Sequence, residues 1–170
     1  MTFNTNNFYF FGGTNNILVG GNPAIPSPTA AVYINILNDF SVTANSTSVL
    51  VNSDININRT VISVGGNFIS SAAAANLTLA NTNGNLLFDL TGNFTQTNGN
   101  FTGQSFPGNI KADSIMIGGD FLFNSPTITN YFHGNRGAGS IGGTTFHTQG
   151  NFTITTSGVL DGQGVYGVYQ

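Results

Sequence analysis

The 170-residue chain is only 5% charged, with three Lys or Arg against six Asp and no Glu, for a net charge of −3. Three cations cannot track a phosphate backbone, which argues against nucleic-acid binding, and the absence of cysteine excludes disulfides and thiolate metal sites. No apolar run reaches the length of a membrane-spanning helix, and Asn, Thr, Ser, Gly and Phe abound where a helical protein would carry Lys, Glu and Ala, so the chain reads as all-β.

Regular alternation of a 39% hydrophobic content argues against disorder, and the length suits a single domain, residues 1–170, with a substantial core. From the amino terminus, Phe8-Tyr9-Phe10-Phe11 reads as a strand closed by Gly12-Gly13 and followed by Ile17-Leu18-Val19. Pro23, Pro26 and Pro28 make 22–29 a loop, because proline lacks the amide that a central strand donates. Strands are expected next at 32–37, 40–43, 48–51, 55–57 and 61–64. The alanines at 72–75 are too few for a helix, and the strand pattern resumes at 77–79, 85–90, 93–97, 110–117 and 121–123. Residues 130–143 hold five glycines and read as an excursion from the regular pattern. Strands around Phe146, at 152–155 and at Val159-Leu160 then lead into the closing GVYGVY.

A phrase recurs within this order. Apolar alternation, a glycine, Asn or Asp, and then Phe appears as Val64-Gly65-Gly66-Asn67-Phe68, Leu90-Thr91-Gly92-Asn93-Phe94, Ile117-Gly118-Gly119-Asp120-Phe121 and Thr148-Gln149-Gly150-Asn151-Phe152. Looser copies stand at Asn38-Asp39-Phe40 and Asn7-Phe8. The residues before each Phe lie at 7, 39, 67, 93, 120 and 151, so the spacings are 32, 28, 26, 27 and 31. A period in the 20 to 50 range signals stacked coils. Each copy reads as a strand entering a sharp corner, which Gly and Asn or Asp permit through positive φ. Asn67, Asn93, Asp120 and Asn151 are then corner residues, and Phe8, Phe40, Phe68, Phe94, Phe121 and Phe152 a stacked interior ladder. The expected fold is a parallel β-helix of about six coils of 26–32 residues, a rod about 29 Å tall at 4.8 Å per rung.

The phrases GNIKADSIMIGGDFLFNS and GNLLFDLTGNFTQTNGNFTG resemble the repeats of filamentous-haemagglutinin-like adhesins of two-partner secretion, and are similar to autotransporter passenger repeats, over about residues 30–157. The resemblance implies a right-handed parallel β-helix, an extracellular or cell-surface location, and a role as a shaft or fibre in adhesion or matrix. The secretion-domain NPNG motif of that family is not matched by Asn22-Pro23-Ala24. The opening MTFNTNNFYFFGG lacks a signal peptide's basic and apolar regions, so another export route, a removed leader or a segment of a longer protein is expected.

Candidate chemistry is sparse, and no enzyme activity, cofactor or metal is expected. His133 and His147 lack a nearby paired carboxylate and read as ordinary strand or loop residues. Lys111, Asp113 and Asp120 bring to mind the charged groups of β-helix polysaccharide lyases, yet Asp120 holds a corner position that Asn fills equally. Asp161-Gly162-Gln163-Gly164 resembles half of a calcium-binding nonapeptide repeat, but stands as one copy without its partner turns. Six Asn-x-Ser/Thr sequons, at Asn45, Asn58, Asn76, Asn93, Asn100 and Asn151, follow partly from composition, and would be accessible acceptors where glycosylation machinery is present. Thr pairs at 95/97, 127/129 and 153/155 fall at different offsets from the repeat and form no continuous ice-binding ladder.

The expected function is structural. Short, uncapped coils with few charges suit copies that stack end to end into a surface or matrix filament, joined through the terminal FYFF and GVYGVY strands by edge pairing or strand exchange. The alternatives are a shaft fragment of a large adhesin and a glycan-binding or polysaccharide-cleaving β-helix, with surface glycans as the partner class.

Overall fold

A computed structural model describes residues 2–10, 13–18, 31–52, 57–124, 131–135, 142–155, 159–161 and 165–169. The expected proline-rich loop at 22–29 lies outside them, as do Thr127 and Thr129. The first pass of the chain is β1 (Thr2–Thr5), β2 (Phe8–Phe10) and β3 (Gly13–Leu18). The second is β4 (Ala31–Ile36), β5 (Phe40–Val42) and β6 (Ser46–Asn52), and the third β7 (Arg59–Val64), β8 (Phe68–Ser70) and β9 (Asn76–Asn81). The fourth is β10 (Asn85–Leu90), β11 (Phe94–Gln96) and β12 (Asn100–Gln104), and the fifth β13 (Asp113–Ile117), β14 (Phe121–Phe123) and β15 (Tyr131–Asn135). The sixth is β16 (Thr144–Thr148), β17 (Phe152–Ile154) and β18 (Val159–Asp161), and β19 (Val165–Tyr169) follows.

Every third strand joins the same sheet. The first sheet is ordered β1-β4-β7-β10-β13-β16-β19, the second β2-β5-β8-β11-β14-β17 and the third β3-β6-β9-β12-β15-β18, with all pairings parallel. The described chain is thus an all-β parallel solenoid without helix. Its coil count differs slightly from the expectation, because β19 adds a strand to the first sheet alone.

Alternation along each strand sets the inside. In the first sheet Ile34, Ile62, Phe88, Ile115 and Phe146 stand in register, all buried, beside the column Ile36, Val64, Leu90 and Ile117. The short second-sheet strands place Phe40, Phe68, Phe94 and Phe121 in register, each 0% exposed. The third sheet contributes Leu77, Phe101 and Phe132. Burying one such Phe contributes about 1.5–3 kcal/mol, and a well-placed aromatic pair about 0.5–1.5 kcal/mol more. The pairs are well placed: Phe68–Phe94, Phe94–Phe121 and Phe121–Phe152 stack at 4.6, 5.0 and 4.8 Å, and Phe101–Phe132 at 4.9 Å with an interplanar angle of 3°. The Phe40–Phe68 pair is edge-on instead, at 85°.

Three sequence expectations need correction. Among the described glycines only Gly99 and Gly108 take positive φ, so the repeat glycines do not serve a left-handed corner. They serve close approach: a Cβ on Gly119 would lie 2.9 Å from the Gly92 carbonyl oxygen and closer still to Asn93 Oδ1. Each successive coil packs against the backbone beneath, and no side chain fits between. The strand expected at 110–117 begins only at Asp113, since Asn109 Oδ1 accepts the Lys111 amide at 2.8 Å in a turn that leaves Ile110 67% exposed. Within the supposed excursion at 130–143, Tyr131–Asn135 is β15, paired with β12, so this part never leaves the stack.

Candidate functional site

The corner between the first and second sheets is built from the repeat's Asn or Asp. Asp39 offers its amide to Asn7 Oδ1 at 3.3 Å, Asn67 to Asp39 Oδ1 at 2.7 Å, and Asn93 to Asn67 Oδ1 at 3.0 Å. Asp120 continues to Asn93 Oδ1 at 2.8 Å, and Asn151 to Asp120 Oδ1 at 2.7 Å. A backbone amide at a corner would otherwise face no strand, and an unpaired amide is costly where water is scarce. What the position requires is a short side chain with a carbonyl-type oxygen, which explains why Asn and Asp interchange there. Where the lower residue is Asp, the Asn above adds an Nδ2 donation, at 3.2 Å from Asn67 to Asp39 and 3.1 Å from Asn151 to Asp120.

The backbone runs a second rail alongside. Phe8, Phe40, Phe68, Phe94 and Phe121 each donate their amide upward to the carbonyl of Asp39, Asn67, Asn93, Asp120 and Asn151 respectively, at 2.8–3.0 Å. Every coil therefore sends a Phe amide and a side-chain oxygen upward, and receives them with an amide and a carbonyl from below. Asn7 belongs to the lowest coil among the described residues, and there the Thr5 hydroxyl donates to its carbonyl at 2.8 Å. At the upper end Asn151 Oδ1 and the Phe152 amide hold the sending positions, and among the described residues β17 is the last strand of the second sheet. Phe8 and Phe152, the outer members of the ladder, are only half-buried, unlike the four between them.

The charged candidates do not converge. Asp113 is 1% exposed, inward at the start of β13, where it accepts the Leu86 amide at 2.7 Å. Lys111 is exposed in the preceding turn, and Asp120 sits at the corner beyond the other end of β13. Seven residues at about 3.3 Å each put the two Asp backbones on the order of 20 Å apart. His133 lies in β15 of the third sheet, 6% exposed, and His147 in β16 of the first, so the histidines occupy different sheets. Among the described residues no group of three or more His or carboxylate side chains is placed to hold a metal ion. Asp161 is in β18, while the remainder of its half-motif, 162–164, lies outside the described residues. Thr95 and Thr153 flank Leu122 in one outward column, so the threonines form no continuous ladder.

The sequons are mostly occupied. Asn93 and Asn151 belong to the corner, Asn100 Nδ2 donates to Asn76 Oδ1 at 2.6 Å, and Asn45 Oδ1 accepts the exposed Ala74 amide at 3.1 Å. The sequence marks the corner by an Asn or Asp in every copy and suggests stacked Asn hydrogen bonds; the structure adds that the corner ladder runs from each side-chain oxygen to the backbone amide above. No helix among the described residues is long and apolar enough to cross a membrane. No known protein family, characterised protein or solved structure matches the chain.

Proposed function

We propose that the chain is a non-enzymatic structural solenoid whose copies stack end to end in an extracellular surface or matrix filament, with an adhesive or biofilm role. One observation carries this reading: the two ends of the corner ladder are complementary. The lower end presents an amide and a carbonyl at Asn7, and the upper end an oxygen at Asn151 and an amide at Phe152, the same four groups that join each internal coil to the next. The half-buried Phe8 and Phe152 would complete their burial at such a joint. The resemblance to filamentous-haemagglutinin-like repeats supports the extracellular and adhesive part.

Electron microscopy of the purified chain at micromolar concentration tests the reading. Regular filaments are expected; dispersed particles across the concentration range would overturn self-assembly and favour a shaft segment of a larger adhesin. A shallow groove across the outward side of the first sheet, lined in part by Asp89, Met116 and His147, favours glycan binding as the second reading. A panel of polysaccharides tests that one, and a lyase centred on Asp113 is disfavoured by the burial of its carboxylate.

A further inference from the structure

The sheets do not end level. Among the described residues the first sheet holds seven strands and the other two hold six, the excess strand being β19 on the upper edge of β16. In a stack that continues all three sheets, the next copy's β2 belongs on β17 and its β3 on β18, one rung above each. Its β1, which enters β2 through the Asn6-Asn7 corner, then belongs on β16. That rung is the one β19 fills. A copy bearing β19 in place cannot receive β1, β2 and β3 of another as one unbroken pass. If β19 stays, the incoming β1 must lie above it, and a rung is left empty in the second and third sheets.

We infer that β19 is a removable cap on the growing end, displaced by β1 of the incoming copy as the two are joined; this rests on the end-to-end reading above. Two observations favour displacement of β19 rather than β1. The β19 register against β16 is irregular between Thr144 and Phe146, whereas β1 pairs with β4 without interruption over Thr2–Thr5. The incoming strand also suits the rung. By the register of the first sheet, Phe3 would lie over Phe146 and Thr5 over Thr148, continuing both inward columns, and the corner would close with the Asn7 amide on Asn151 Oδ1. Strand exchange of this kind trades one set of ladder bonds for another, so the cap slows joining without opposing it at equilibrium.

Because the chain has no cysteine, engineered thiols report the joint directly. Asn4, His147 and Tyr169 share one column of the first sheet, with Asn4 on its lowest strand and His147 five rungs higher. Five rungs at about 4.8 Å separate Asn4 and His147 of one copy by on the order of 24 Å, far beyond the roughly 7 Å limit for a disulfide. The full-length double variant Asn4→Cys/His147→Cys should therefore link only between copies. Mild oxidation of its assembled form is expected to give covalent multimers, while Asn4→Cys/Tyr169→Cys should stay largely unlinked. The reverse pattern, linking through Tyr169→Cys alone, would overturn the displacement and leave end-to-end stacking intact. If neither variant nor the parent chain assembles, the stacking reading fails and this inference with it. A lock gives an independent check: oxidised His147→Cys/Tyr169→Cys, with β19 tied to β16, is expected to remain monomeric and to assemble after reduction. Equal assembly before and after reduction would overturn the proposal.

Discussion

At the scale of single residues, the corner ladder separates what a side chain is from what it must supply. Asp39 accepts both the Asn67 amide and Asn67 Nδ2, and Asn67 passes the same service upward through its own Oδ1. If the acceptor oxygen is the requirement, Asp39→Asn should change unfolding free energy by less than about 1 kcal/mol, while Asp39→Ala should cost about 1–3 kcal/mol by leaving a part-buried amide unpaired. Urea titration of the two variants against the parent decides between acceptor and charge. An Asn variant as unstable as the Ala variant would mean that the negative charge, not the oxygen, holds this corner. The glycines beside the ladder follow the same logic of space. Gly92 would set a Cβ 2.7 Å from Asn67 Oδ1, so the residue that bonds and the residue that yields room are chosen together.

At the scale of strands and columns, depth in the stack sets the value of a side chain. Phe94 contacts Phe68, Phe101, Phe121 and Phe132 with ring centroids 4.6–5.4 Å apart and has no exposed surface, whereas Phe8, edge-on to Phe3 and Phe40 at the lower end, remains half-buried. Phe94→Ala is expected to cost about 3–5 kcal/mol, and Phe8→Ala less than half of that, because part of the cavity it leaves is already open to water. Equilibrium denaturation monitored by circular dichroism measures both; equal losses would contradict the graded ladder. The Phe ladder and the first-sheet strands were legible in the sequence because each occupies an inward position that only a few apolar residues can fill. Two strands of the third sheet, β12 and β15, were not. β12 and β15 carry Thr102-Gly103-Gln104 and His133-Gly134 along their strands, and both Gly103 and Gly134 are buried where a Cβ would strike neighbouring atoms. Small and polar residues there satisfy close packing and hydrogen bonding, so the period-two signal of burial disappears while the strand persists. The inward position of Asp113 and its bond to the Leu86 amide were likewise not legible, since a carboxylate at the start of a strand ordinarily faces solvent.

At the scale of the whole molecule, the balance of forces at a joint between copies follows from how little charge the chain carries. The net charge is −3 over 170 residues, and the ends of the corner ladder are neutral amides and oxygens flanked by half-buried Phe8 and Phe152. If copies join as proposed, the joint depends on backbone pairing and apolar burial, neither of which is screened by simple salt. Filaments formed in dilute buffer are therefore expected to persist in 1 M sodium chloride, where exposed charges more than about 3 Å apart are largely screened from one another. Repulsion between copies of like charge would fall under the same conditions, so the critical concentration for assembly should stay level or drop slightly. Light scattering during a salt titration follows this directly. Dissolution at high salt would show that ion pairs hold the joint, and the neutral corner ladder would then be the frame of each subunit rather than the means by which one subunit finds the next.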